Sequence, residues 1–300
     1  MYKHKPSLAC DAVLDNINYP VMGFPKIDGV RLMHLIGTAT GRSLNPHANL
    51  YTTTRFSHSI YTGIDGEATY GDITSKSLCR DTNSVLTTIE GEPHVIWNAF
   101  DFLREDTISL IYANRIKALE SYIRKYKPND VRIIPHVLLK NEIEVLSFYN
   151  ECLKKGYEGI ILRDPLGHHK NGRCTVNEGW FLRLKPSSDK DAIVLKIIEA
   201  QKNLNIAKKN MLGYTERSSH RENKIGKGMV GLLICRDILS GQIINVGPGK
   251  MSHAERLYYF DNPTELINEP IKYRSVDTGL KDAPRFARYI CRRSRDDISI

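Results

Sequence analysis

The chain has 300 residues, of which 41% are hydrophobic and 26% charged, the composition of an ordinary globular protein whose length suits two domains. No apolar run approaches the roughly 20 residues that cross a bilayer, and Met1–Pro6 lacks the apolar stretch of a signal peptide. Six cysteines are scattered singly without a Cys-x-x-Cys pair, so neither a zinc ribbon nor a disulfide framework is indicated. We therefore expect a cytoplasmic protein with reduced thiols and no membrane association.

The formal net charge of +9 favours a polyanionic partner. The excess is uneven, because the segment from Ser188 to the end holds 20 basic against 14 acidic residues. A basic surface can serve solubility alone, but its concentration in one segment favours nucleic acid as the partner.

The first part of the chain reads as mixed α and β structure. Apolar residues recur every three or four positions in Tyr112–Tyr126 and Glu142–Lys155, which predicts two helices, the second followed by Gly156 at its C-terminal end. Strands are predicted where the sequence alternates or is continuously apolar, at 21–24, 30–36, 95–102 and 131–139.

After Lys185 the pattern changes. Pro186–Asp189 reads as a short polar link, so we predict domains at residues 1–187 and 188–300. Short strand candidates at 192–198, 230–237, 242–246 and 272–276, with one helix near 252–260, suggest a small β-barrel such as an OB-fold. The basic segment 202–227 is predicted to be a long loop, either functional or simply solvated.

The most informative stretch is Lys26-Ile27-Asp28-Gly29-Val30-Arg31. A Lys amine is a nucleophile only when it is uncharged, and neighbouring cations or burial favour that state. Asp28-Gly29 is a strong signal for a type I′ hairpin turn, because this dipeptide tolerates positive φ. The alternative interpretation is a basic hairpin tip on the surface.

Four further segments carry polar residues beside apolar strands. They are Ile64–Ala68 with two carboxylates, the aromatic Trp97–Phe102, Glu158–Arg163 after the second predicted helix, and Trp180–Lys185 with two cations on one strand face. Each has an ordinary structural interpretation by itself. All five in this order are not expected by chance.

In these segments the sequence resembles the covalent nucleotidyltransferases, and among them the small ATP-dependent DNA ligases of phages and large DNA viruses. Their motif I is matched by Lys26–Arg31, their following Arg by Arg42, motif III by Asp65–Glu67, motif IIIa by Phe100-Asp101, motif IV by Glu158-Gly159 and motif V by Arg183–Lys185. Pro284–Tyr289, with Arg293 and Asp297, resembles the end of the ligase OB domain. The resemblance implies an α+β adenylation domain followed by an OB-fold domain.

Two positions depart from the family pattern. Arg183 replaces the first Lys of motif V, which keeps a phosphate-binding cation but not a titrating group. Phe24 stands where many relatives have a polar residue that reads adenine. The preference for ATP over GTP is therefore implied by overall similarity alone.

The resemblance implies that Lys26 attacks the α-phosphate of ATP and retains AMP. Arg183 and Lys185 would bind that phosphate and favour the neutral amine on Lys26. Asp28 and Glu158 would bind a divalent metal, Mg²⁺ or Mn²⁺, since both offer oxygen ligands. Glu67 would bind the ribose and Phe100 would stack on adenine.

The implied substrate is nicked duplex DNA. Arg42 would bind the 5′-phosphate and Arg31 the 3′ side, because a forked guanidinium suits phosphate oxygens. Further phosphate contacts are expected from the basic segment, which would close around DNA as a latch: Lys208, Lys209, Arg217, Arg221, Lys224 and Lys227. A monomer is expected, in the host cytoplasm if a virus or phage encodes it.

Other functions remain open at this point. An RNA ligase or an mRNA capping guanylyltransferase shares the Lys-x-Asp-Gly motif, although the Arg-x-Asp-Lys motif typical of capping enzymes is absent from the sequence. A non-catalytic nick-binding protein is a further alternative. Phe100 could be plain core, Asp101 could cap or pair with a cation, and Glu158 could be a surface acid.

Overall fold

The computed structural model describes residues 4–35, 37–276 and 284–294. They divide into two compact units, one running to Lys185 together with residues 211–213, the other comprising residues 186–210 and those from 214 onward. The described residues contain no helix long and apolar enough to cross a membrane. Asp297 lies outside the described residues.

The first unit contains eleven strands and four α-helices among its described residues. The strands are β1 Ser7–Leu8, β2 Cys10–Asp11, β3 Val21–Lys26, β4 Val30–Met33, β5 Ile64–Thr69, β6 Ile96–Phe102, β7 Val131–Ile133, β8 Val137–Leu139, β9 Gly159–Arg163, β10 Gly172–Arg173 and β11 Phe181–Leu184. The helices are α1 Leu50–Phe56, α2 Leu78–Thr87, α3 Tyr112–Tyr126 and α4 Glu142–Lys154.

Two separate sheets organise these strands. The first sheet has the order β2-β11-β9-β3-β8 and the second has the order β4-β5-β6-β7, while β1 and β10 form a parallel pair. Trp97 and Phe56 are fully buried in the larger hydrophobic core, together with Tyr112 of α3. The unit is thus a mixed α+β fold, as the sequence predicts.

The two predicted helices are confirmed. The α3 helix has the predicted bounds, and α4 is one residue shorter than predicted. Asn141 caps the start of α4 by accepting a hydrogen bond from Glu144 N at 2.9 Å. Gly156 follows the end of α4 with φ +90°, the conformation that favours glycine there.

The predicted hairpin turn at Asp28-Gly29 is wrong. Neither residue has positive φ, and the strands on either side belong to different sheets. Gly29 is required for close approach instead, since a Cβ there would lie 2.4 Å from Ala68 O on β5. The dipeptide therefore carries the chain from the first sheet to the second.

The single strand predicted at 131–139 is also wrong. It is two strands, of which β7 pairs with β6 in the second sheet and β8 pairs with β3 in the first. Pro135 lies between them and cannot donate a backbone hydrogen bond to a ladder. An apolar run alone does not reveal such a change of sheet.

The second unit contains seven strands and one α-helix among its described residues: β12 Ser188–Asn203, β13 Ala207–Lys209, β14 Thr215–Arg217, β15 Lys224–Asp237, β16 Ile243–Val246, α5 His253–Asp261, β17 Pro270–Val276 and β18 Arg285–Arg292. Five of them form an antiparallel sheet in the order β16-β15-β12-β17-β18. An isolated bridge between Gly247 and Arg288 joins the two edges of this sheet. This is consistent with the predicted, partly open OB barrel.

Two predictions for this unit need correction. The polar link predicted at Pro186–Asp189 is shorter, because β12 begins at Ser188. The segment 202–227 is not a structureless loop: β12 and β15 extend into it, and β13 and β14 form an antiparallel hairpin between them. Charged, exposed residues obscured these strands, since their pattern lacks an apolar face.

A substitution at Gly159 tests how closely strands β9 and β11 of the first sheet approach each other. Its φ is +151°, and a Cβ there would lie 2.2 Å from Leu184 O on β11. Gly159→Ala should destabilise the fold by about 2 kcal/mol more than Gly91→Ala, since overpacking adds to backbone strain. Gly91 is the matched control, with φ +94° and no neighbour within 4 Å.

Urea unfolding of both variants measures the difference. Equal midpoints would mean that the approach of β9 to β11 is not close enough to demand glycine.

Candidate active site

Three charged side chains meet where strands of the first sheet end. Lys26 is the last residue of β3, Glu158 precedes β9, and Lys185 follows β11. Antiparallel pairing of Lys26 with Gly159, and a hydrogen bond from Glu158 N to Lys26 O at 3.1 Å, bring these ends together. Lys26 Nζ pairs with Glu158 Oε2, and Lys185 Nζ lies 3.4 Å from Glu158 Oε1. The sheet thus builds a cluster of two amines on one carboxylate.

Glu158 is the centre of this cluster. Its side chain is 8% exposed, and although burial opposes ionisation, the Lys26 and Lys185 ammonium groups keep its pKa below the ordinary value. The nearest charge to the Lys26 amine is therefore a carboxylate, whereas the sequence predicted cations. Glu158 must release this amine, or accept its proton, before the nitrogen can act as a nucleophile.

The second sheet contributes Arg31, Asp65 and Glu67. Arg31 on β4 makes a two-point contact with Asp65 on β5, with Nε–Oδ1 2.5 Å and Nη2–Oδ2 2.6 Å. Asp65 is 1% exposed, so this pair is buried and fixes the Arg31 guanidinium. The sequence interpretation assigned no role to Asp65, although its position next to Gly66-Glu67 indicated that it belongs to the site.

Phe100 lies in an aromatic cluster. It is 6% exposed and stacks on Phe24, with ring centroids 5.7 Å apart and planes inclined by 18°. The Arg31 guanidinium lies 4.7 Å from the Phe100 ring, and His136 lies 4.7 Å from the Phe24 ring. Burial lowers the pKa of His136 to about 4. The position of Phe100 suits both core packing and base stacking. Stacking on adenine requires Phe24 or Arg31 to move away from the ring.

Glu67 connects the two sheets electrostatically. Burial raises its pKa to about 7; Lys26 and Arg31 oppose that rise, and the carboxylates of Glu158 and Asp28 add to it. Glu67 is the strand partner of Arg31, and a Cβ on Gly29 would lie 2.8 Å from Glu67 Cγ, so Glu67 lies beside the segment that follows Lys26. The predicted residues Lys26, Arg31, Glu67 and Glu158 therefore lie close together between the two sheets, a region called the cleft below.

Arg183 and Arg42 are not part of the cluster formed by Lys26, Glu158 and Lys185. Arg183 makes a forked contact with Asp11 of β2, with Nε–Oδ1 2.7 Å and Nη2–Oδ2 3.4 Å. Asp11 was missed by the sequence interpretation. The forked guanidinium of Arg183 suits this two-point contact, which the single amine of a Lys could not make in the same way. Arg42 is exposed in the turn after β4.

The predicted DNA-binding cations of the second unit lie on or beside the β13–β14 hairpin. Lys208, Lys209, Arg217, Arg221 and Lys227 are exposed, and Lys224 is half-buried. Lys224 Nζ donates to Ser219 O at 2.7 Å, and Arg217 donates to Asn205 O. Both acceptors are uncharged carbonyl oxygens, so these contacts hold the hairpin in place without neutralising its positive charge.

Glu67 gives a testable pH dependence. Its carboxyl binds protons more tightly in the folded than in the unfolded chain, so between about pH 4.5 and 7 the folding stability falls as pH rises. Glu67→Gln removes this loss. The urea midpoint of the variant, relative to wild type, should therefore be higher at pH 8 than at pH 4.5.

Glu158→Gln is the control with the opposite sign. Because the pKa of Glu158 is lowered in the folded chain, its carboxylate stabilises the fold at pH values above the ordinary pKa of Glu. This stabilisation is lost as the pH falls. If the difference in urea midpoint between wild type and Glu67→Gln were the same at pH 4.5 and pH 8, the raised pKa of Glu67 would be contradicted.

Comparison with known proteins finds a match to the part of the chain that contains several of these residues. Residues 51–183 match the family model of the ATP dependent DNA ligase domain, a range that includes Glu67, Phe100 and Glu158 but begins after Lys26. The DNA ligase of Enterobacteria phage T3 is 29% identical over 90 residues, 30% of this chain and 25% of that protein. The DNA ligase of Escherichia phage T7 is 23% identical over 100 residues, 33% of this chain and 27% of that protein. The alignments thus span about a quarter of these relatives' length.

Solved structures extend the likeness in fold to nearly the whole chain. A Chlorella virus DNA ligase-adenylate is 23% identical, with 98% of this chain and 99% of that chain covered at a TM-score of 0.55. A Lig E DNA ligase, described as binding DNA with a minimal scaffold, is 18% identical, with coverage of 97% and 100% at a TM-score of 0.71. Residues 51–183 therefore resemble the ATP dependent DNA ligase domain, and nearly the whole chain shares its fold with small DNA ligases.

Proposed function

We propose that this protein is an ATP-dependent DNA ligase that seals nicks between a 5′-phosphate and a 3′-hydroxyl in duplex DNA. The observation that carries the proposal is the Lys26 amine on Glu158, with Lys185 on the other oxygen of the same carboxylate. A Lys placed among a carboxylate and a second cation has the surroundings of a nucleophile, not of a surface hairpin.

The reaction proceeds in three transfers. The Lys26 nitrogen forms a bond to the α-phosphorus of ATP while pyrophosphate leaves. An oxygen of the DNA 5′-phosphate then displaces Lys26 from AMP, and the 3′-hydroxyl oxygen finally displaces AMP to close the strand. Each step needs alignment and charge neutralisation more than covalent work by the protein, which suits a cleft lined by fixed charges.

The residues of the cleft divide this work. Lys185 neutralises the α-phosphate once ATP draws it from Glu158, and Arg183 does the same after exchanging Asp11 for phosphate oxygens. Glu67 binds the ribose, and Phe100 offers its face to adenine. Arg31, held by Asp65, is a rigid donor for the 3′ side of the nick.

Arg42 supplies the contact to the 5′-phosphate. It is exposed in the turn after β4, where DNA can reach it. The basic hairpin adds contacts to the DNA backbone that do not depend on base sequence. The protein acts as a monomer in the cytoplasm, where both ATP and DNA are available.

A divalent metal, Mg²⁺ or Mn²⁺, fits the donors of the cleft. Asp28 and Glu158 are carboxylates that both influence the neighbouring Glu67, and oxygen is the ligand such ions prefer. No group of three His, Cys, Asp or Glu side chains poised for a metal occurs in the described part of the chain. Mg²⁺ usually takes one or two carboxylates and completes its shell with water and phosphate, so we propose Asp28 and Glu158 as its protein ligands. When bound, the ion neutralises phosphate charge.

Covalent labelling tests the proposal directly. Wild-type protein incubated with α-labelled ATP should carry label on a denaturing gel, and Lys26→Arg should reduce labelling by about 1,000-fold or more, because a guanidinium is not a nucleophile. Lys117→Arg on α3 is the matched control and should label normally. Lys26→Ala should still bind nicked DNA.

The same gel separates the alternatives. Labelling by GTP but not ATP would indicate a capping guanylyltransferase, and no labelling by either would leave a nick-binding protein. Sealing of nicked RNA duplex but not DNA would indicate an RNA ligase.

The hairpin as a latch gives a second test. Replacing Lys208, Lys209, Arg217 and Arg221 by Gln should weaken nick binding and lower the slope of log affinity against log salt by about 0.9 for each lost phosphate contact. Replacing Lys117, Arg124, Lys125 and Lys127, on and directly after α3, by Gln removes the same number of exposed positive charges and controls for net charge. Unchanged nick affinity at moderate salt after the hairpin replacement would contradict the latch.

A further inference from the structure

A buried ion triad adjoins the cleft. Asp101 of β6 contacts Arg115 of α3, with Nε–Oδ1 2.7 Å and Nη2–Oδ2 3.1 Å, and Arg163 of β9, with Nη2–Oδ2 3.0 Å. None of the three side chains is more than 3% exposed. The arginines keep the pKa of Asp101 far below its ordinary value despite its burial, so the triad is charged at neutral pH.

The Asp101–Arg163 contact joins the two sheets. Arg163 ends β9, the strand that begins directly after Glu158, so it belongs to the sheet that carries Lys26. Asp101 follows Phe100 on β6 and is the strand partner of Asp65. The two halves of the cleft therefore meet through one buried charge pair.

Two aromatic rings fix Arg163. Its guanidinium carbon lies 4.1 Å from the Tyr112 ring and 4.2 Å from the Phe181 ring. Its Nε has no hydrogen-bond partner among the described residues, so these rings and Asp101 determine its position. A planar guanidinium can stack in this way, whereas an ammonium cannot.

A second contact crosses between the sheets near the same place. Phe24 of β3 stacks on Phe100 of β6, the residue before Asp101. Tyr112, which contacts Arg163, also donates a hydrogen bond to Phe100 O at 2.8 Å. A shift of Arg163 would therefore be transmitted to Phe100 and to the spacing between the sheets.

Stability alone does not account for such a triad. Well-packed apolar residues can replace buried ion pairs without loss of stability, because desolvation offsets much of the attraction. What the charges add is directionality: a carboxylate held by two arginines has one position. That property matters where two sheets must be aligned to within a fraction of an ångström.

We propose that Arg163 and Asp101 are positioning residues that set the spacing between the Lys26–Glu158 half of the cleft and the Glu67–Phe100 half. They place the phosphate end of a nucleotide in line with Lys26 while the opposite sheet holds its nucleoside end. This role rests on the proposed function for its chemistry, but its geometry does not depend on it.

The test compares Arg163→Lys with Arg115→Lys. Both variants keep the charge and act on the same carboxylate, but only Arg163 belongs to the sheet that carries Lys26. With α-labelled ATP, Arg163→Lys should lower the rate of adduct formation at saturating ATP by about 100-fold, the effect of a misplacement near 1 Å. Arg115→Lys should have a roughly tenfold smaller effect at a similar urea midpoint. Equal losses of rate would overturn the proposal in favour of a structural role.

A second readout is independent of activity. The protein labelled with 4-fluorophenylalanine has eight fluorine signals, one for each Phe, and Phe24→Leu and Phe100→Leu assign the two stacked rings. Arg163→Lys should shift both signals, because the sheets separate, and Arg115→Lys should leave them in place. Unshifted signals in Arg163→Lys would overturn the proposal.

These readouts distinguish the two hypotheses. If wild-type protein forms no adduct, the proposed function fails, and the fluorine signals alone decide the positioning role. If Arg163→Lys does not fold, Arg163→Gln replaces it, since Gln can still donate one hydrogen bond to Asp101 and the buried Asp101–Arg115 pair stays intact. Its normal fluorine signals and adduct rate would overturn the need for an ion pair.

Discussion

One carboxylate shared by two amines is the interaction on which the site depends. Glu158 draws Lys26 and Lys185 to the same point because three strand ends converge there. The arrangement neutralises charges that would otherwise repel in a buried cleft. In the proposed function it also holds the Lys26 nucleophile next to the carboxylate that an incoming phosphate displaces, so nucleotide binding and release of the amine become one event.

Two further cations of the cleft follow a similar rule. Arg31 of the second sheet is held by Asp65, and Arg183 of the first sheet by Asp11, so both already have a carboxylate partner. The Arg31 pair is buried and fixed, whereas Asp11 is mostly exposed and its pair is weak. Exposed pairs exchange readily for phosphate, and buried ones preserve geometry. The cleft thus combines a rigid wall with an adaptable one.

Much of this site was readable from residue types and order. The Lys-x-Asp-Gly-x-Arg segment, the Asp-Gly-Glu segment and the Glu-Gly segment predicted which residues converge, and the helical periods predicted α3 and α4. The turn at Asp28-Gly29 was misread because a dipeptide reports local φ preference, not which sheet its neighbours join. The strands around the basic hairpin were missed because exposed charged residues carry no apolar alternation.

The sequence by itself determined the chemistry available: a candidate nucleophile, oxygen ligands and phosphate-binding cations in a recognisable order. Only the tertiary structure decided which carboxylate each cation meets, since Lys26 and Glu158 are 132 positions apart and Arg183 and Asp11 are 172 apart. It also placed Arg163 against Asp101 across two sheets. The physical reason is that local preferences fix strands and helices, while pairing between distant strands depends on how buried charge and apolar surface are jointly satisfied.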